Sequence, residues 1–149
     1  MSNLAVDLAD SGRQAESIAA VKELIELRRE LVASDRDAYL PNLAMAVKTL
    51  AVWLGESGRR SKALAASREA VELYREIVAG DRDAYLSELA VSVNNLAVDL
   101  AQTGRRAKAL AAAREAIQLY RELARDEPDR YRPDLDRTET LLAYLSDKA

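Results

Sequence analysis

The chain has 149 residues, with 22 basic and 25 acidic side chains giving a formal charge of −3, and it contains no Cys, His or Phe. Without cysteine there are no disulfides, thiolate nucleophiles or thiolate metal sites; without histidine the commonest general base and metal ligand are missing. The near-balanced charge gives no reason to expect nucleic acid or an anionic membrane as partner, and abundant Ala, Leu, Arg and Glu with only five Gly and three Pro point to an all-α chain.

The expected helices, in chain order, cover about residues 3–10, 14–33, 39–56, 60–79, 85–102, 106–125 and 131–146, seven in all. The first is short and ends at Ser11-Gly12-Arg13. In the third, Leu43, Val47, Leu50 and Leu54 recur every three or four residues and share a face. Pro41 sits early in that helix, where a missing N–H costs little. Gly58 ends it as a residue able to take φ > 0. In the fourth, Leu64, Ala70, Val71, Leu73, Ile77 and Val78 make the buried side, with Gly80 just past the end. Asp81-Arg82-Asp83 then connects to the fifth, offering aspartates as caps.

The pattern repeats with a period of 46 residues: Gly12, Gly58 and Gly104 fall at its turns, and Tyr39, Tyr85 and Tyr131 at another fixed place. Leu4, Leu50, Leu96 and Leu142 follow the same spacing. Short connections make neighbouring helices antiparallel, and hairpins too small to stand alone stack into an α-solenoid. The chain reads as one domain: an abbreviated first unit (1–34), two full units (35–80 and 81–126) and a closing helix (127–149).

Asn95-Leu96-Ala97-Val98-Asp99-Leu100, followed by Gly104, Ala109-Leu110 and Ala116-Ile117, resembles a tetratricopeptide repeat; Ala51, Gly58, Ala63 and Ala70 match one unit earlier. That family's unit is about 34 residues, so the 46-residue unit is similar to longer variants in kinesin light chains and bacterial regulatory proteins, where runs like Asn94–Ala97 also occur. The resemblance spans nearly the whole chain. It implies a right-handed solenoid whose first helices line a concave, protein-binding surface.

By that resemblance the groove columns are Val6, Val52, Val98 and Tyr144; Ser2, Lys48, Asn94 and Thr140; Met45 and Val91 one turn earlier; and Asp10, Glu56 and Gln102 one turn later. An apolar strip with a polar rim suits an extended peptide or an amphipathic helix. On bare residue type, Val at these places is also ordinary core, and Asn94 and Asn95 could bridge neighbouring helices instead. A clamp for a peptide's terminal carboxylate is not expected. Lys48 and Asn95 match one, but Val52 and Val98 stand where amides are needed, and Arg137 lies in the closing helix.

The turns carry Arg13, Arg59, Arg60, Arg105 and Arg106 with Lys62 and Lys108, read as a solvated edge because no aromatic side chain interleaves for stacking on nucleic acid. Trp53 replaces Asp7 and Asp99 in its column and is either a packing plug or an exposed anchor. At the chain's start, Leu24 and Arg28 stand where later units have Ala70 and Tyr74, or Ala116 and Tyr120. Either these positions have drifted, or a second copy covers this end through Leu4, Leu8, Leu24 and Arg28. Asp134, Asp136, Arg137, Thr138, Glu139 and Asp147 give the closing helix a solvent-facing side.

Carboxylates such as Asp81 and Asp83 recur in each unit rather than at one special place, and no phosphate loop, nucleophile–base pair or metal-ligand spacing occurs. No catalysis, cofactor or metal is expected. No signal peptide is read at Met1–Asp7, and no apolar run approaches the roughly 20 residues that span a bilayer, so a cytoplasmic protein is expected. The expected role is a protein-binding scaffold, part of a bacterial regulatory or signalling protein; the alternatives are a homodimeric structural element and an engineered repeat.

Overall fold

The computed structural model describes residues 3–147, with side chains from residue 12 onward. Six helices follow in order: α1 (Asn3–Ser34), α2 (Arg36–Glu56), α3 (Arg60–Gly80), α4 (Arg82–Gln102), α5 (Arg106–Asp126) and α6 (Pro128–Asp147). Each packs on the next, and α2 also reaches α4, as in a tetratricopeptide-like solenoid. Among the described residues, no helix is long and apolar enough to cross a membrane.

Two kinds of connection alternate. Inside a hairpin the turn satisfies its own carbonyls: Arg59 N–H donates to Leu54 O at 2.9 Å and Gly58 N–H to Gly55 O at 3.1 Å. That pattern needs a left-handed residue after the cap, and Gly58 has φ +79°. Arg105 and Gly104 repeat it onto Leu100 and Ala101 at 2.8 and 3.1 Å, with Gly104 at φ +78°. Between hairpins a single residue suffices. Asp81 N–H donates to Ile77 O at 2.8 Å, closing α3, while its carboxylate accepts from Ala84 N–H at 3.3 Å, opening α4. Asp35 caps α2 likewise, accepting from Ala38 N–H at 3.3 Å.

These connections correct the expected boundaries. Gly80 is the last residue of α3, not a residue beyond it, because Asp81 does the capping. The first helix of each full hairpin starts at Arg36 or Arg82, about a turn earlier than expected. Pro41 therefore lies inside α2, where the carbonyl of exposed Asp37 loses its helical donor. The largest difference is at the start. The expected helices over 3–10 and 14–33 are one 32-residue helix, so the described residues form six helices rather than seven. Gly12 is not among the left-handed glycines, and a straight helix gives residues 9–16 the backbone partners that a turn would cost them.

The core runs the length of the stack. Ala44, Ala63, Ala90, Ala97, Ala109, Ala113 and Ala116 are wholly buried where helices meet. Tyr74 and Tyr120 are buried in equivalent places on α3 and α5. Outside the core, cations reach carboxylates 40 residues further along the chain: Arg29–Glu69 at 2.6 Å, Arg36–Glu76 at 2.5 Å, Lys48–Glu88 at 2.5 Å and Arg82–Glu122 at 2.6 Å. Arg75 and Glu115 form a fifth such pair. Exposed pairs contribute about 0.2–1 kcal/mol each, so the ladder holds the register of neighbouring units more than it stabilises the fold.

Three expected outcomes follow from this packing. Ser92 is buried and its hydroxyl has no partner, while Ala46 occupies the same place in α2. Ser92→Ala should therefore raise stability by about 1 kcal/mol, read as a higher denaturant midpoint with unchanged slope. Gly104→Ala forces a left-handed alanine and should cost about 1–2 kcal/mol in the same assay. Burial pushes the hydroxyls of Tyr74 and Tyr120 above the ordinary tyrosine value of 10.0. The neutral form is thus favoured by folding. Stability should hold below about pH 10 and fall as pH rises above it. Thermal melts from pH 8 to 12 should show that loss, moved upward by Tyr74→Phe with Tyr120→Phe.

Candidate partner-binding groove

Where α2 and α4 lie side by side, a cleft of about 290 Å³ opens near their C-terminal ends, lined by Ala51, Val52, Gly55, Glu56, Ser67, Asn95, Val98, Asp99 and Gln102. Of the expected groove residues it brings together Val52, Val98, Glu56 and Gln102. Val52 is 41% exposed, and Met45, seven residues earlier on α2, is 55% exposed. Tyr144 on α6 is 57% exposed at the position that Val98 holds on α4. Val91 and Val98 are half-buried. An α-helix returns to the same side after seven residues, so Met45 and Val52 form one apolar row.

The polar column behaves differently. Lys48 Nζ lies 2.5 Å from Glu88 Oε2 on α4 and 5.9 Å from the centre of the Tyr74 ring, and it is half-buried. Asn94 is also half-buried, with its Oδ1 3.2 Å from the Thr138 hydroxyl of α6. Both side chains therefore bridge successive first helices. Thr138 itself is buried, contrary to the solvent-facing role expected of it, because that hydroxyl also lies 2.9 Å from Asp134 O.

Asp99 is the residue that the repeat comparison passes over. Its carboxylate borders the cleft, half-buried, and accepts a hydrogen bond from the Ser67 hydroxyl of α3. Burial pushes its carboxyl above the ordinary value, and the bond from Ser67 partly offsets this. The available signal was an acid inside an otherwise apolar run, Leu96-Ala97-Val98-Asp99-Leu100. Trp53, which takes its place on α2, packs against the core, half-buried, and borders a small cleft with Arg13, Gln14, Ser17 and Glu56.

The remaining candidates fall elsewhere. The side chains of Leu4 and Leu8 lie outside the described residues. Leu24 is exposed on α1, and Arg28 turns back onto α2, donating to Asn42 O at 2.6 Å. In the basic edge, Arg106 is committed to the end of α6, donating through Nε to Leu145 O at 2.6 Å. Arg59, Arg60, Lys62, Arg105 and Lys108 are exposed.

Comparison with curated proteins finds no match. The profile of the tetratricopeptide repeat matches residues 1–36 and 89–129, just over half of the chain. One period is 46 residues, so the first match falls on the residues equivalent to 93–128, inside the second. Repeats of this family generally mediate protein–protein interaction. With alternating turns, buried alanine columns and profile matches in agreement, the chain belongs to the tetratricopeptide-repeat family.

Proposed function

We propose that this chain holds a segment of another protein, an extended peptide or one face of an amphipathic helix, along the exposed sides of α2, α4 and α6. The observation that carries this reading is the exposed apolar row of Met45 and Val52 on α2, running into the cleft that Val52 and Val98 line. Large side chains left in water beside a cleft are what a partner's apolar anchors would cover. Glu56, Gln102 and Asp99 at the cleft's margin supply acceptors, so the segment should bring donors or a cation to that end and apolar groups to the middle. The similarity to long-hairpin repeats supports placing such a module in a bacterial regulatory or signalling protein, as a scaffold without chemistry of its own.

The row, not the polar column, should set affinity, since Lys48 and Asn94 already have partners within the fold. A displayed library of random peptides, selected on the immobilised chain, supplies probes whose affinity is read by fluorescence anisotropy. Val52→Arg and Val98→Arg should each weaken the selected peptides at least tenfold, about 1.4 kcal/mol, with helical circular dichroism unchanged. Ala65→Arg, on the exposed side of α3, should leave binding intact. Peptides that bind Val52→Arg as well as the unaltered chain would show that the groove is somewhere else.

A further inference from the structure

The two ends of the stack are finished differently. On α6, Arg132, Asp136, Glu139 and Ser146 are exposed at the positions where α2 and α4 bury Leu40 and Leu86, Ala44 and Ala90, Val47 and Val93, and Leu54 and Leu100. That side of α6 is thus polar where the full hairpins are apolar. On α1 the exchange is partial: Arg28 stands where Tyr74 and Tyr120 are buried, but the neighbouring positions stay apolar. Leu24 is 38% exposed where Ala70 and Ala116 are 1% and 0% exposed, and Ala20 is exposed where Ala66 and Ala112 are buried. That side of α1 is the one which, in the full hairpins, the first helix covers.

The chain carries a sequence for that cover. Asn3-Leu4-Ala5-Val6-Asp7-Leu8-Ala9 is identical to Asn95–Ala101, the stretch of α4 that precedes the Gly104 turn onto α5. The family profile likewise matches residues 1–36 as it matches 89–129. Yet α1 runs straight through Gly12, so residues 3–11 point away from the surface that their counterparts cover. Residues eight apart in a straight helix are separated by about 12 Å along its axis and cannot pack on one another.

We propose that two copies of the chain pair by exchanging this segment: residues 3–11 of each α1 lie along the first half of the other copy's α1, as α4 lies along α5. The register follows from the hairpins. A Cβ at Gly55 would stand 3.9 Å from the Cβ of Ala63, and one period earlier that pair is Ala9 and Ser17. The pair is centred on residue 13. A twofold axis there makes Ala9 of one copy face Ser17 of its partner twice over, so the arrangement is closed. The exchange covers Ser17, Ala20 and, at its edge, Leu24, while Leu27 and Leu31 lie past its reach. The competing head-to-tail stack, in which α6 of one copy would cover α1 of the next, would have to bury Arg132, Asp136 and Glu139.

Because the chain lacks cysteine, a pair introduced at Ala9→Cys and Ser17→Cys reports this contact directly. The built Cβ separation of the equivalent pair lies within the range a disulfide spans. Ala101→Cys with Ala109→Cys, the same pair on α4 and α5, calibrates the yield of a bond within one chain. Oxidation of the first variant should give a covalent dimer on a non-reducing gel, and the unaltered chain should sediment as a dimer that dissociates on dilution. Gly12→Ala, favouring the straight helix, should tighten that dimer about tenfold or more. Ala20→Glu, on a side chain already exposed, should weaken it by a similar factor without loss of helicity. A disulfide closed within one chain would overturn the proposal in favour of a folded-back hairpin. So would an unaltered chain that stays monomeric from micromolar to near-millimolar concentration, whatever the gel shows.

Discussion

Close approach of helices through alanine is the constraint on which the stack depends. Ala44 and Ala90 on the first helices, and Ala63, Ala109 and Ala116 on the second, have no exposed surface at all. Side chains ending at Cβ let neighbouring axes come nearer than larger groups would allow. α2 is thereby pressed between α1 and α3, and α4 between α3 and α5, with a strip of each left exposed. Met45, Val52 and Val98 lie on those strips because the faces on either side are occupied by helix contacts. The groove is in this sense a by-product of packing, and its apolar row is what remains when the buried columns have been filled.

Much of this was legible in the chain itself. The 46-residue period shows which residues are equivalent, and equivalence carries over to structure: Gly58 and Gly104 share a left-handed turn, and Tyr74 and Tyr120 share a buried niche. Contacts between units were not legible, because they do not fall at the period. Lys48 meets Glu88 at a separation of 40, Ser67 meets Asp99 at 32, and Thr138 meets Asn94 at 44. A comparison that slides the chain by 46 aligns Lys48 with Asn94 and shows a polar column, but it cannot show that neighbours already satisfy that column. It aligns Trp53 with Asp99 in the same way, with no hint that one packs on the core while the other borders the cleft.

Asp99 shows how such a position can serve two ends. Its carboxylate is held from one side by the Ser67 hydroxyl, which ties α4 to α3 at the level of the cleft. The other side borders the space where a partner's donor would sit. Burial disfavours the charged form, so any cation or N–H brought into the cleft would find an acceptor that gains from being approached. A valine here would remove that acceptor from the cleft.

The conformation of α1 separates local instruction from neighbour support. Residues 3–9 and 95–101 are the same seven amino acids, and each is followed within a few residues by Gly-Arg. After the second copy the chain turns at Gly104; through the first it continues as helix. Local preference is therefore not what decides the turn. At Gly104, α4 is a full 21-residue helix packed against α3 and α5, and its contacts outweigh the bonds that a straight helix would keep. At Gly12 the segment that would fold back, residues 3–11, would meet the rest of α1 as its one neighbour among the described helices. In a stack held by nearest-neighbour contacts the terminal unit receives half the support of an inner one. The same sequence can then be a hairpin inside the stack and a straight helix at its edge.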